Sequence, residues 1–459
     1  MPPLAKKKRG NLQMNIEKGP LKTRFLKFIL PSMAAQWIFA LYTMIDGMFV
    51  ARGVSEDALS AVNIASPYIN FLFSVSILFA VGTSTIVSIY MGKGEHEQVN
   101  RVYTQSLVTL GVIAVIIMAA VFFNLEWVIN FLGATDVNRH YVREYILAVL
   151  PFSWCFIIAY SFEILVKADG YPGYAVFAIV SGAVMHCGLD YIFVFLCDFG
   201  VRGAGLATGI SQCALIFIYL KHFLGPKASM RLERFRFSFM EFVRMIKIGA
   251  SSFLTEFSAG ITVFLFNHAI LRYIGNDGVI SYTIVAYVNT IVIMSMAGIA
   301  QGAQPLISFY FGKGEMGTCW RLYRYGLISC TVLAAVTFIS SMLGADLLVN
   351  IFISADLPEL RAYSTEVFRI FSISFLLMGF NIVSGGFFTA LEMPKSAFAV
   401  TVARGLVTLA LALFLCTAVM GGAGIWWAPT VSEIMCLALS AGLMLGFRAR
   451  ERRKSALAQ

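Results

Sequence analysis

MGKGEHEQVNRVYTQSL at residues 91–107 and FGKGEMGTCWRLYRYGL at 311–327 are two copies of one pattern, 220 residues apart in a chain of 459. An apolar run precedes each copy and another follows it. GVRGAGLATGISQ at 200–212 pairs with GGAGIWWAPTVSE at 421–433, and DGYPGYAVF at 169–177 pairs with LEMPKSAFA at 391–399 through its proline. All three spacings are close to half the chain, so the sequence is an internal duplication. What is duplicated follows from composition. Hydrophobic residues make up 59% and charged residues 13%, with a mean hydropathy of +0.78. A soluble domain carries about 25% charged residues, and no soluble core could hide this much apolar surface. The chain is therefore read as an all-α integral membrane protein.

Stretches of the ~20 apolar residues needed to cross a bilayer can be drawn twelve times, at 25–50, 62–91, 102–124, 141–166, 173–196, 203–224, 243–272, 279–311, 321–343, 362–391, 396–418 and 424–447. Six spans per half is an even number, so both halves enter the membrane in the same orientation. That is the parallel-repeat arrangement, in which a substrate path is expected between the halves. The expected domains are a basic N-terminal tail (1–24), a six-helix bundle (25–224), a basic linker (225–242), a second six-helix bundle (243–447) and a basic C-terminal tail (448–459).

The formal charge of +10 sits mostly in KKKR at 6–9, KASMRLERFR at 227–236 and RARERRK at 448–454. Basic segments beside apolar spans mark the cytoplasmic side, so both termini and the linker are expected there, in a bacterial-type inner membrane, with no role for nucleic acid. The N-terminal run is long and lacks a small-residue cleavage site, so it reads as a retained first helix. The eight cysteines are scattered without a CxxC spacing, which argues against a zinc or redox site. No GxxxxGK[ST] loop is present, so no nucleotide-driven pump is indicated. The two GKG turns read as glycine-ended helices followed by solvated lysines.

Acids inside the spans carry the functional argument, because a carboxylate at the bilayer centre costs roughly 3 kcal/mol even on lenient scales. In MHCGLDYIFVF at 185–195, His186 and Asp190 stand four residues apart and project from one helix face. Asp190 lies about 9 Å from the outer end of its span at 1.5 Å per residue. A carboxyl beside a histidine can gain or lose a proton near neutral pH. Asp46 lies at a similar depth in the first span, with Arg52 six residues on as a competing partner. Two carboxyls facing one pocket disfavour joint ionisation and invite a cation or a proton. Glu256, in GASSFLTEFSAG, is midway along the seventh span with no basic neighbour, and the repeat sets it opposite Gln36. Glu163 and Lys167 read as a structural i,i+4 pair with a snorkelling lysine. Gln36, Asn63, Asn70, Asn267, Gln301, Gln304 and Asn381 are candidates for a polar cavity lining. Arg369 and Arg404 are placed near helix ends.

These residues together resemble the multidrug and toxic compound extrusion (MATE) family of cation-coupled antiporters, over roughly 20–447. IDGMFVARGVSEDALSAV (45–62), GTSTIVSIYMGKGE (82–95), GVRGAGLATGISQ and GIAQGAQPLISFYFGKGE (298–315) carry the likeness. The resemblance implies two six-helix bundles forming a V around a cavity, and export of cationic amphipathic drugs in exchange for protons or sodium ions. It implies a cation site built from Asp46 and Asp190, and in some members a seventh-helix Glu, matched by Glu256, with a tenth-helix Asp for which this chain offers only Asn381. The family's fifth-helix Asn-x-x-Leu-Asp-Pro motif has His186 at its Asn position and Tyr191 at its Pro position here. Sodium is a hard cation favouring oxygen, so His186 favours the proton. The expectation is thus a monomeric, non-enzymatic exporter of small organic cations, without a cofactor or a bound metal, driven by H+ rather than Na+. The alternative is a lipid-linked oligosaccharide flippase of related architecture, which would be expected to line its cavity with Arg and Lys for pyrophosphate.

Overall fold

The computed structural model describes residues 19–457, and among these there are helices and no strand. The spans are α1 (Leu21–Gly53), α2 (Glu56–Lys93), α3 (His96–Phe123), α4 (Arg139–Ala168), α5 (Pro172–Leu196) and α6 (Gly200–Phe223), then α7 (Phe239–Tyr273), α8 (Asn276–Gly312), α9 (Met316–Phe352), α10 (Pro358–Ala390), α11 (394–420) and α12 (Gly424–Leu457). A short helix, Leu125–Phe131, joins α3 to α4. The apolar segment from Pro394 to Arg453 is 60 residues long and would reach about 90 Å as one helix. It is broken at Gly421, whose φ of +60° is costly for a side chain and free for glycine. Among the described residues there are eleven apolar segments long enough to cross a membrane, and the break at Gly421 divides the last of them into two helices.

Several helices overrun the apolar stretch that predicts them. Helix α1 starts at Leu21, inside the expected tail, and α12 continues through the basic 448–454 run to Leu457. Charged residues past the apolar edge are good helix formers, so nothing stops the helix there. Pro31, Pro67, Pro305 and Pro429 sit inside helices, as membrane helices tolerate.

Chain contacts define two compact units. The first runs up to Phe253 and includes Ser308–Met316; the second comprises Leu254–Ile307 and the chain from Gly317. In the first unit polar bonds tie the helices at depth: Tyr68 to Ser153 (2.6 Å), Thr83 to Ser106 (2.7 Å), and the Ser76 hydroxyl donating to the Ile157 carbonyl (2.6 Å). The second is held by aromatic packing of Phe266 on Tyr282 (5.0 Å between rings), by Tyr323 bonded to Ser384 (2.9 Å), and by Ile284, Val349 and Ile353.

The basic ends of the helices show the duplication at atomic detail. Gly94 and Gly314 close α2 and α8 with φ of 76° and 78°. Arg244 Nη1 donates to Tyr90 (2.9 Å), and Arg24 Nη1 donates to Tyr310. The two Arg–Tyr pairs are related by the 220-residue spacing of the repeat. Lys93 and Lys313 lie over the Tyr90 and Tyr310 rings at 5.7 and 5.9 Å, so the GKG lysines are ring-bound rather than merely solvated. Helices α2 and α7 approach backbone to backbone where Gly249 faces the Leu78 carbonyl. Any Cβ at 249 would collide with that oxygen, which cannot rotate away. Gly249→Leu is expected to cost about 3 kcal/mol and to replace the monodisperse peak of detergent-solubilised protein with aggregate on size-exclusion chromatography.

The linker lacks regular structure over 224–238 yet is fastened. Gln105 exchanges two hydrogen bonds with the Ser238 backbone, Thr104 accepts from the Glu233 amide, and Asn100 accepts from the Arg231 amide. At the α4–α5 turn, buried Asp169 accepts from His222 Nε2 (2.7 Å) and the Ser229 amide (2.9 Å). Burial pushes the Asp169 carboxyl above the usual carboxylate range, against the lowering effect of His222 and Ser229. A carboxyl raised on folding loses stability as pH rises. Asp169→Asn should therefore gain thermal stability over the wild type as pH climbs above the ordinary carboxylate range. Asp169→Ala, which strands both donors, should lose about 2–3 kcal/mol. Melting curves of the three proteins across pH check both signs.

Candidate functional site

Asp46, His186 and Asp190 come together. Gly53, at the end of α1, makes this possible, since a Cβ there would meet Val194 and Phe195 of α5. The missing side chain lets α1 lie close along α5, which brings Asp46 across from the face carrying His186 and Asp190. Just past Asp190 the helix widens into a π turn over Tyr191–Leu196, a feature frequent at functional sites.

The one-turn spacing sets His186 Nδ1 3.0 Å from Asp190 Oδ2, while His186 Nε2 lies 3.9 Å from Asp46 Oδ1 and 3.0 Å from Thr208 Oγ1 of α6. The Asp190 side chain is fully buried, His186 is 3% exposed and Asp46 16%. The 3.0 Å contact lies outside hydrogen-bond geometry, so both Asp190 oxygens, Asp46 Oδ1 and His186 Nδ1 are sealed without a hydrogen-bond partner. Such groups cost roughly 1–3 kcal/mol each, and more when charged. The Arg52 alternative for Asp46 is not among the ion pairs of the described residues, and Tyr42 packs its ring against His186 at 5.5 Å.

The Thr208 hydroxyl donates to the Ala204 carbonyl (2.8 Å), so it accepts from His186 Nε2–H. The imidazole Nδ1 then faces a carboxylate oxygen at 3.0 Å. Two bare lone pairs at that distance repel, so a neutral imidazole and an ionised carboxylate disfavour each other there. One ligand atom from each of Asp46, His186 and Asp190 lies within 4.8 Å of the others, close enough for a single cation to be held between them. The cluster can hold a proton or a cation, and each disfavours the other.

The remaining sequence candidates lie elsewhere. Glu256 is exposed on α7 in the second unit, with no ion-pair partner among the described residues. Asn63 and Asn70 are exposed on α2, Gln36 and Asn267 half-buried, Gln301 half-buried and Gln304 buried on α8. Asn381 is 1% exposed, and its amide nitrogen donates to Glu433 Oε2 (2.7 Å) and to the Glu433 carbonyl (3.1 Å) while its Oδ1 has no partner. Glu163 and Lys167 make their pair at 2.6 Å, but Lys167 is 3% exposed and does not snorkel.

A second charged pair joins Arg404, which the sequence placed near a helix end, to Glu433, which it did not single out. Arg404 Nε donates to Glu433 Oε1 (2.9 Å), with side chains 19% and 9% exposed. Arg404 is ten residues past Pro394, about 15 Å along α11, so it stands at mid-depth rather than near a helix end. Glu433 is nine residues into α12. The signal available was an acid deep in an apolar run at the end of the GGAGIWWAPTVSE repeat copy, aligned with Gln212.

Comparison with known proteins agrees with this architecture. Among curated proteins, the multidrug export protein MepA of Staphylococcus saprophyticus is 23% identical over 431 residues, covering 94% of each chain. MepA of Staphylococcus aureus is 24% identical over 438 residues at the same coverage. A solved structure described as the outward-facing conformation of a multidrug resistance MATE family transporter of the MOP superfamily matches with a TM-score of 0.87 at 20% identity, covering 98% of both chains. The MatE family model matches residues 31–192 and 252–414, one segment in each half of the duplication. The chain belongs to the MatE family, the MATE transporters that its motifs resemble.

Proposed function

We propose that this protein exports organic cations across the cell membrane in exchange for protons, by alternating access, with Asp46, His186 and Asp190 as the coupling centre. The carrying observation is that cluster: three titratable groups from two helices, His186 and Asp190 buried and Asp46 half-buried, with four polar atoms lacking partners. A permanent structural knot would be expected to satisfy its own hydrogen bonds. This one is left incomplete, as suits groups whose charge changes during a cycle.

The physical mechanism is competition. With Asp46 and Asp190 ionised the cluster itself is net negative, two carboxylates against at most one imidazolium, which favours a cationic cargo. Protonation removes that charge and releases the cargo outward; proton release inward resets the cycle. Each ligand shifts the conformational population by its differential affinity for the two states. Glu256 supplies one titratable carboxyl in the second half, where it serves the cargo's positive charge. The proton is favoured over sodium because His186 offers nitrogen where a hard cation wants oxygen. The relatives named multidrug export proteins support a broad cargo range, and the basic 227–236 and 448–454 segments support cytoplasmic placement of the linker and C-terminus.

The test is ethidium efflux by purified protein in proteoliposomes under an imposed proton gradient, then under an imposed sodium gradient at constant pH. Efflux that follows only the proton gradient is the expected result. Efflux that follows sodium alone, or neither, overturns the assignment.

A further inference from the structure

We infer that Arg404 is a recognition site for the carboxylate of a zwitterionic amphiphile, a subsite distinct from the Asp46–His186–Asp190 cluster. The inference rests on the export reading and extends its cargo from plain organic cations to zwitterions that also carry a cationic group. Four observations carry it. First, the guanidinium is at mid-depth, about 15 Å from the start of α11 in a hydrocarbon layer of roughly 30 Å. A lipid headgroup at the interface does not reach it, so a bound anion comes with cargo. Second, Arg404 is tethered by Nε alone. A structural arginine–carboxylate pair normally uses the planar fork. Here Glu433 gives one oxygen to Nε and the other to Asn381, and the two Nη atoms hold no hydrogen bond among the described residues. They are not among the sealed polar atoms either, and the side chain as a whole is 19% exposed.

Third, the surrounding network is incomplete. Asn381 Oδ1 and Ser258 Oγ, both on residues at most 3% exposed, lack partners. Fourth, Arg404 lies within a π turn, Ala403–Val407. Its counterpart in α5 begins immediately after Asp190. Each half thus places a π turn beside a buried ionisable side chain, an acid in the first and a base in the second. Glu433 positions the arginine and neutralises it, so a zwitterion, which brings its own positive charge, can bind without leaving net charge in the membrane. A simple anion could not.

The test uses a matched dye pair, rhodamine B, which carries a free carboxylate, and its ethyl ester, a plain cation. Binding to detergent-solubilised full-length protein is read by fluorescence anisotropy without any gradient, so coupling plays no part. Arg404→Gln should weaken rhodamine B at least about tenfold, the loss of one charge-assisted contact, and leave the ester within about twofold. Because Arg404→Gln strands Glu433, the double variant Arg404→Gln/Glu433→Gln serves as a second probe, and it should show the same selective loss. Arg404→Lys should recover part of the rhodamine B affinity. Equal loss of both dyes in the two variants, or no loss of either, overturns the inference. Wild-type binding of the ester but not of rhodamine B also overturns it, while the export reading survives. Binding of neither dye by the wild type counts against the export reading and removes this inference with it.

Discussion

Asp190→Asn proteoliposomes are expected to bind ethidium but to lose the response to an imposed proton gradient, with efflux falling at least about tenfold to the rate seen without a gradient. A ligand with equal affinity for both conformations shifts neither. An amide at 190 cannot take up the proton, so protonation no longer distinguishes the states through this residue. The buried position makes the substitution informative in a second way. Asp190 has both oxygens sealed without a hydrogen-bond donor, and asparagine of the same shape brings no charge into that sealed place. The variant should therefore melt no lower than the wild type, since an unsatisfied buried acid is replaced by a neutral amide of the same shape. Lost coupling with undiminished melting temperature separates a coupling residue from a structural one. Full gradient-driven efflux by Asp190→Asn would remove Asp190 from the mechanism.

This variant also shows how much of the site the sequence exposes. The His186–Asp190 pair is local: two residues at i and i+4 on a helix meet whatever the tertiary fold, and the structure has them 3.0 Å apart. Asp46 is recognisable only through matching depth, and its approach needs the bare Gly53 beside Val194 and Phe195. The Asn381–Arg404–Glu433 cluster has no local signature at all. Its members lie on three helices, 23 and 29 residues apart, and nothing in their spacing says that they touch. Helix number and order follow from hydropathy and repeat spacing, because the bilayer demands long apolar helices whatever their packing. Helix ends do not, because the polar flanks that leave the apolar layer remain good helix formers, as α12 shows by running to Leu457. The fate of the GKG lysines was likewise hidden: rings 5.7 and 5.9 Å away hold them, and those rings precede each lysine by three residues on a helix whose end the sequence alone leaves open.

His186→Asn is the variant expected to change the coupling ion. In the present cluster the imidazole presents Nδ1 to Asp190 and Nε2 to Thr208 and Asp46, at 3.0, 3.0 and 3.9 Å. It can carry the proton itself, and when it does so it repels any metal cation from between the carboxylates. Asparagine removes that charge and offers an amide oxygen, so the ligand set becomes three oxygen donors, which suits a hard cation. The expected result is efflux that responds to an imposed sodium gradient at constant pH, where the wild type is expected to respond only to protons. His186→Ala supplies the control: it removes the titrating ring without adding an oxygen, and should weaken proton-driven efflux without a sodium response. Isothermal titration of each detergent-solubilised protein with sodium chloride against choline chloride reads the same change directly as binding heat specific to sodium in His186→Asn alone. If His186→Asn stays indifferent to sodium in both assays while proton-driven efflux continues unaltered, the imidazole does not select the ion, and the proton preference must reside in Asp46 and Asp190 themselves.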